Sequence, residues 1–135
     1  MPRLAAVAFL VRDYDEAIAW FTGALGFLLV EDIDLGGGKR WVKVAAEAGG
    51  TTLLLARAVG DQAEGVGRQM AGRVGFFLEV SDFDAAYARM RTAGVVFEEA
   101  PRAEAYGRVA VFNDLYGGRW DLLEAPAPPE GQIQR

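Results

Sequence analysis

Glu79 is the most unusual residue of its neighbourhood. It follows Gly75, Phe76, Phe77 and Leu78 in an otherwise apolar run and precedes Val80. A carboxylate among apolar residues costs free energy unless it is paired, neutralised or left in water. It can serve as an acid that receives a cationic or hydrogen-bonding ligand, or as a general acid whose pKa burial has raised. It can equally be half of an ion pair with Arg73 or Arg108, or simply sit exposed at a strand end. Trp41 and Lys43 form a second candidate group. They are two residues apart after the Gly36-Gly37-Gly38 triplet, so strand alternation puts them on one face, opposite Arg40. There Trp41 can stack on a flat ligand or pack in a dimer contact. Tyr106 and Arg108 flank a turn, where the phenol either meets a ligand or covers a sheet edge. The glycine triplet neither opens a helix nor has the spacing of a phosphate loop, which argues against nucleotide binding there.

Other chemistries are closed by composition. Among 135 residues there is no Cys and no His, so thiol nucleophiles, disulfides, imidazole bases and imidazole or thiolate metal ligands are excluded. The formal net charge of -5 argues against a nucleic-acid partner. With 52% hydrophobic and 24% charged residues the chain reads as an ordinary globular protein, large enough for a real core. No run reaches the ~18 apolar residues of a membrane span, and the N-terminus lacks the pattern of a secretory signal, so the expected location is the cytoplasm and no membrane partner is expected.

The elements that must position these side chains are written twice. Val11-Arg12-Asp13-Tyr14-Asp15-Glu16-Ala17 returns as Val80-Ser81-Asp82-Phe83-Asp84-Ala85-Ala86, both reading Val-x-Asp-aromatic-Asp-x-Ala. An apolar run precedes each copy. Asp13 and Asp82 are suited to cap a helix, since their carboxylates can accept from first-turn amides. Ala17, Trp20, Phe21, Ala24 and Leu25 make one apolar stripe; Phe83, Ala86, Tyr87 and Met90 make the other. Gly26 and Gly94 suit the left-handed position that ends a helix. Strand-like runs follow at 27–35, 40–46 and 51–56 in the first copy, and at 95–99, 108–112 and 119–124 in the second, separated by glycine-containing turns. Each copy therefore predicts β-α-β-β-β and a four-stranded sheet. The expected division is a first module at 1–57, a linker at 58–72, a second module at 73–125 and a flexible tail at 126–135, all within one domain.

Tandem β-α-β-β-β units opened by this motif resemble the vicinal oxygen chelate superfamily of glyoxalases, bleomycin-resistance proteins and extradiol dioxygenases. Leu25-Gly26-Phe27 and the segment Asn113-Asp114-Leu115-Tyr116-Gly117-Gly118-Arg119-Trp120 add to the likeness. The latter is similar to the family's Asp-Pro-Asp-Gly-Asn turn before the last strand, with Leu115 where proline is usual. The resemblance implies an α+β fold of curved mixed sheets around a cavity, and a homodimer.

The family's metal ligands carry over onto Ala6, Gly75, Leu53 or Leu54, and Asp121. Only Asp121 is a carboxylate, and one carboxylate cannot hold a divalent ion. The resemblance therefore implies a member without the usual metal site, and no cofactor is expected. Its cavity face would carry Ala6, Ala8, Leu10, Phe77, Glu79, Arg119, Asp121 and Leu123, with Leu53 adding apolar surface, while Trp120 and Leu122 point to the core. The leading expectation is metal-free binding of a small organic molecule, aromatic or cationic, on Glu79, Asp121, Phe77, Trp41, Arg108 and Tyr106. The alternative is a lyase, isomerase or dioxygenase of the superfamily with no metal or an atypical one, on Glu79, Asp121 and Glu124. A protein-interaction module is the third reading.

Overall fold

The computed structural model describes residues 1–126. All but the first residue of the expected tail 126–135 lies outside the described residues.

Among the described residues two α-helices and nine strands follow one another, each helix after one strand and before the others as the repeat predicts, with one strand more than expected. β1 (Ala6–Val11) leads into α1 (Tyr14–Gly23), and β2 (Leu28–Gly36), β3 (Lys39–Ala45) and β4 (Thr52–Arg57) follow. β5 (Val74–Val80) leads into α2 (Phe83–Thr92), then β6 (Val96–Phe97), β7 (Arg102–Glu104), β8 (Gly107–Asn113) and β9 (Arg119–Glu124). The capping residues act as their type dictates. The Asp13 carboxylate accepts from the Glu16 amide at 2.8 Å, and that of Asp82 from the Ala85 amide at 3.1 Å. Gly26 at φ 70° and Gly94 at φ 91° supply the left-handed residues after the two helices.

The first sheet has four strands in the order β1-β4-β3-β2, with β1 and β4 parallel and the other pairs antiparallel. The second has the order β5-β9-β8-β6, with β5 and β9 parallel, and β7 also pairs with β8. The fold is α+β with two mixed sheets. The second sheet has five strands where four were expected. The expected 95–99 strand shrinks to β6, and a separate strand forms beyond Pro101, whose missing amide hydrogen cannot continue a ladder.

One face of each sheet carries its helix. The buried core joins both modules: Phe9 and Phe21 from the first meet Trp120 from the second at ring separations of 6.4 and 6.0 Å. Phe76 stacks on Trp120 at 4.7 Å and lies 5.4 Å from Phe9. Trp120 and Leu122 are buried, as alternation along β9 predicts.

The 58–72 segment contains a short 3-10 helix, Gly60–Gly65, and then runs along the outer edge of β1. There the Gln69 side chain imitates a neighbouring strand. Its Nε2 donates to the Ala8 carbonyl at 3.0 Å, and its Oε1 accepts from the Leu10 amide at 2.8 Å. Met70 then packs onto Gly75, where a Cβ would fall 2.0 Å from Met70 Cγ.

Candidate functional site

Strand register decides which side chains share the helix-free, open face of the second sheet. Phe77 pairs with Asp121, and Asp121 with Val111, forming one row. Glu79, Leu123, Val109 and Arg102 form the next. Paired residues lie about 5 Å apart across neighbouring strands. Phe77, Glu79 and Asp121, expected together from alternation, are thus brought together. Phe77 is 57% exposed although it is a large aromatic in mid-strand. Glu79 is also exposed and has no ion pair among the described residues. The partners considered for it are occupied elsewhere: Arg73 Nε donates to the Val74 carbonyl, and Arg108 pairs with Asp84 and Glu124.

Asp121 is half-buried, and its Oδ1 is fully buried without a hydrogen-bond partner. Burial pushes its carboxyl above the ordinary 3.8; Arg102 and Arg119 pull it down and Glu99 pushes it up, each more weakly. Both arginines are held by other acids, Arg102 by Glu99 at 3.1 Å and Arg119 by Glu98 at 2.9 Å. Asp121 is therefore a carboxylate with unspent acceptor capacity.

The open face of the first sheet is apolar on β1 and β4 and carries an ion pair on β3 and β2. Ala8 pairs with Leu54, Leu54 with Lys43, and Lys43 with Glu31. Lys43 Nζ meets Glu31 Oε1 at 3.0 Å and lies 5.5 Å from the Trp41 ring centroid. Trp41, 38% exposed, pairs with Ile33 and borders a cavity of about 470 Å³ together with Leu54, Ala56, Val59 and Gln62. Leu53 differs from expectation. It pairs with Val7 and Val44 and packs against the core, so the apolar surface on the open face comes from Leu54 instead.

The structure does not bring all the candidates to one place. Every residue around the Trp41 cavity lies between 14 and 62, so within one chain it does not include Phe77, Glu79 or Asp121. Arg108 lies on the helix side of β8, 2.7 Å from Asp84 of α2, with its guanidinium over the Phe83 ring. Tyr106 is exposed in the turn between β7 and β8. Glu124 accepts from the Arg108 amide and guanidinium and so stands apart from Asp121.

The residues at the family's metal-ligand positions do not fit a divalent ion. Ala6 and Gly75 carry no donor, and the space over Gly75 is filled by Met70. Among the described residues no group of three or more acidic side chains is placed to hold a metal ion. The role of Met70 was not visible from the sequence, because nothing in the spacing says where the 58–72 segment lies. Asp114 was also missed. It is 7% exposed and accepts from the Tyr116 and Gly118 amides and from Trp120 Nε1 at 2.9, 3.0 and 2.9 Å. The signal available was an Asp followed by two glycines in a turn.

Comparison with known proteins agrees with this architecture. Among the described residues no helix is long and apolar enough to cross a membrane. An uncharacterized protein of Shewanella frigidimarina is 46% identical over 121 residues, covering 87% of this chain and 90% of its own. The crystal structure of UcmS2 superposes with a TM-score of 0.79 at 29% identity, covering 93% of this chain and 99% of that one. TnmS3, an antibiotic binding protein from Streptomyces sp. CB03234, superposes with a TM-score of 0.75 at 26% identity, over 94% and 98% of the two chains. The family model of the Glyoxalase/Bleomycin resistance protein/Dioxygenase superfamily matches residues 3–122, which is nearly the whole chain. The doubled scaffold thus belongs to the glyoxalase/bleomycin resistance protein/dioxygenase superfamily.

Proposed function

We propose that the protein binds a small organic molecule without a metal, sequestering or carrying it, on the open faces of its sheets. The observation that carries this reading is Asp121 Oδ1, buried without a partner beside the exposed Phe77 and Glu79. An unsatisfied buried acceptor costs about 1–3 kcal/mol, and with Oδ1 closed off it is Oδ2 of the same carboxylate that a ligand N–H meets. The ligand therefore carries a cationic or donating group for Asp121 and Glu79, and a flat apolar body for Phe77 and Trp41. The likeness to an antibiotic binding protein supports this class.

Trp41 and Phe77 lie on separate open faces within one chain. The reading therefore includes a homodimer in which the first sheet of one copy and the second sheet of its partner close one pocket. Exposed Leu28, Leu29, Val30, Ile33 and Leu35 on edge strand β2 support such pairing.

The test is thermal-shift screening with aromatic amines and their neutral N-acetyl counterparts, with sedimentation and elemental analysis on the same sample. A ligand at about 100 times its Kd adds about 2.7 kcal/mol of stability. Amines are expected to shift the melting temperature more than the amides. Asp121→Asn is expected to remove that preference. Equal shifts for amines and amides defeat the charge role, and a stoichiometric, tightly held divalent metal defeats the metal-free reading.

A further inference from the structure

A second cavity, of about 280 Å³, lies between the 67–73 segment and the 114–119 turn. Its lining includes none of Trp41, Phe77, Glu79 or Asp121. Phe9 and Phe76 form its apolar side, with Phe76 backed by the Trp120 ring. Arg68, Arg73 and Arg119 supply its charge.

All three arginines line the cavity, and Arg68 and Arg119 both reach Gly72. Arg119 Nη1 is 3.5 Å from the Gly72 carbonyl oxygen. Arg68 lies against the same residue, with Nη1 3.6 Å from where a Gly72 Cβ would stand. Arg119 is balanced by Glu98. Arg68 and Arg73 have no ion pair among the described residues, in a chain whose net charge is -5. Like charges gathered around a small cavity repel unless an anion sits between them. Asp114 on the wall turns its oxygens to the Tyr116 and Gly118 amides and the Trp120 indole, and makes no ion pair with these arginines among the described residues. A guanidinium fork matches a carboxylate in two parallel hydrogen bonds, and the two phenylalanines suit a flat body. The volume lies just below the roughly 300 Å³ at which small-molecule sites begin, which limits the ligand to a small one.

We propose that this cavity is a separate site for a small aromatic carboxylate, held by Arg68 and Arg73 over Phe9 and Phe76. The test is titration of the full chain with benzoate, acetate and inorganic phosphate at constant ionic strength. Amide shifts of Gly72, Gly117 and Gly118 are followed by NMR. Benzoate is expected to saturate and to bind more tightly than the other two. Arg68→Gln and Arg73→Gln are each expected to weaken it about tenfold or more, the worth of a charge-assisted hydrogen bond. Arg89→Gln, which removes an exposed arginine from α2, is expected to leave it unchanged. Both cavity arginines are exposed, so circular dichroism should show the fold intact. Absence of saturation, or equal weakening by Arg89→Gln, overturns the site. Acetate or phosphate binding as tightly as benzoate overturns the aromatic assignment.

Discussion

Asp13 and Asp82 cap their helices in the same way, and Val11, Ala17 and Tyr14 are matched sixty-nine positions later by Val80, Ala86 and Phe83. On the open faces the match fails: Ala8 answers to Phe77, and Leu10 to Glu79. The side that must bury against a helix has kept its residue types, because packing penalises any change of volume or polarity. The open side is free of that constraint, and there β1 stays apolar while β5 and β9 carry the carboxylates Glu79 and Asp121. Even the helix ends diverge by one residue. The Val95 amide returns to the Met90 carbonyl, five residues back, but the Phe27 amide returns to Phe21, six back.

If the two modules share one core, breaking it at the seam must unfold both. Trp120→Ala removes the ring that touches Phe9, Phe21, Phe27, Phe76 and Phe112, and it leaves Asp114 Oδ2 without its indole donor. The expected cost is about 3–5 kcal/mol, with one urea transition seen by both circular dichroism and fluorescence. Two separated transitions would show that the modules fold as independent halves.

The next effect in size contrasts matched positions. Gly75→His forces Met70 off its place and is expected to cost about 1–3 kcal/mol. Ala6→His, on the open face of β1, should stay within about 0.5 kcal/mol. Adding Met70→Ala to Gly75→His is expected to restore part of the loss in thermal melts. No restoration would mean that the strain lies in the backbone of β5 rather than under Met70.

The caps give a smaller and symmetric effect. Asp13→Ala and Asp82→Ala should each cost about 1 kcal/mol in chemical denaturation, since each removes one side-chain bond to a first-turn amide. A large inequality would mean that one helix is held by more than its cap and stripe.

The caps and stripes were legible in the sequence because they depend on local spacing. The alternation of β5 and β9 was legible too, and it placed Phe77, Glu79 and Asp121 on one face. What was not legible depends on tertiary placement. Arg108 belongs to the helix side because Asp84 of α2 reaches it at 2.7 Å. Leu53 and Leu54 were indistinguishable until the register with Ala8 fixed the parity of β4. The 58–72 segment gives no periodic signal, yet Gln69 and Met70 dock it against β1 and β5.

The smallest effect on stability separates the two open faces by sign. Burial raises the Asp121 carboxyl above 3.8, so the folded state holds that proton more tightly than the unfolded chain does. Its contribution to stability is then present below about pH 3.8 and is lost as pH rises through the folded value. Glu31 on the first sheet behaves oppositely. Its hydrogen bond to Lys43 holds it below 4.5, so its contribution is present above that pH and is lost as pH falls through the folded value. Asp121→Asn, neutral at every pH, should therefore melt at or above the wild type at pH 7, with the gap closing as the pH approaches 3.8. The same substitution is expected to remove the preference for a cationic ligand. Under the proposed binding role, Asp121 weakens the free protein and strengthens its complex. If Asp121→Asn instead melts well below the wild type at pH 7, the carboxylate is a structural partner and the contrast between the two faces loses its functional meaning.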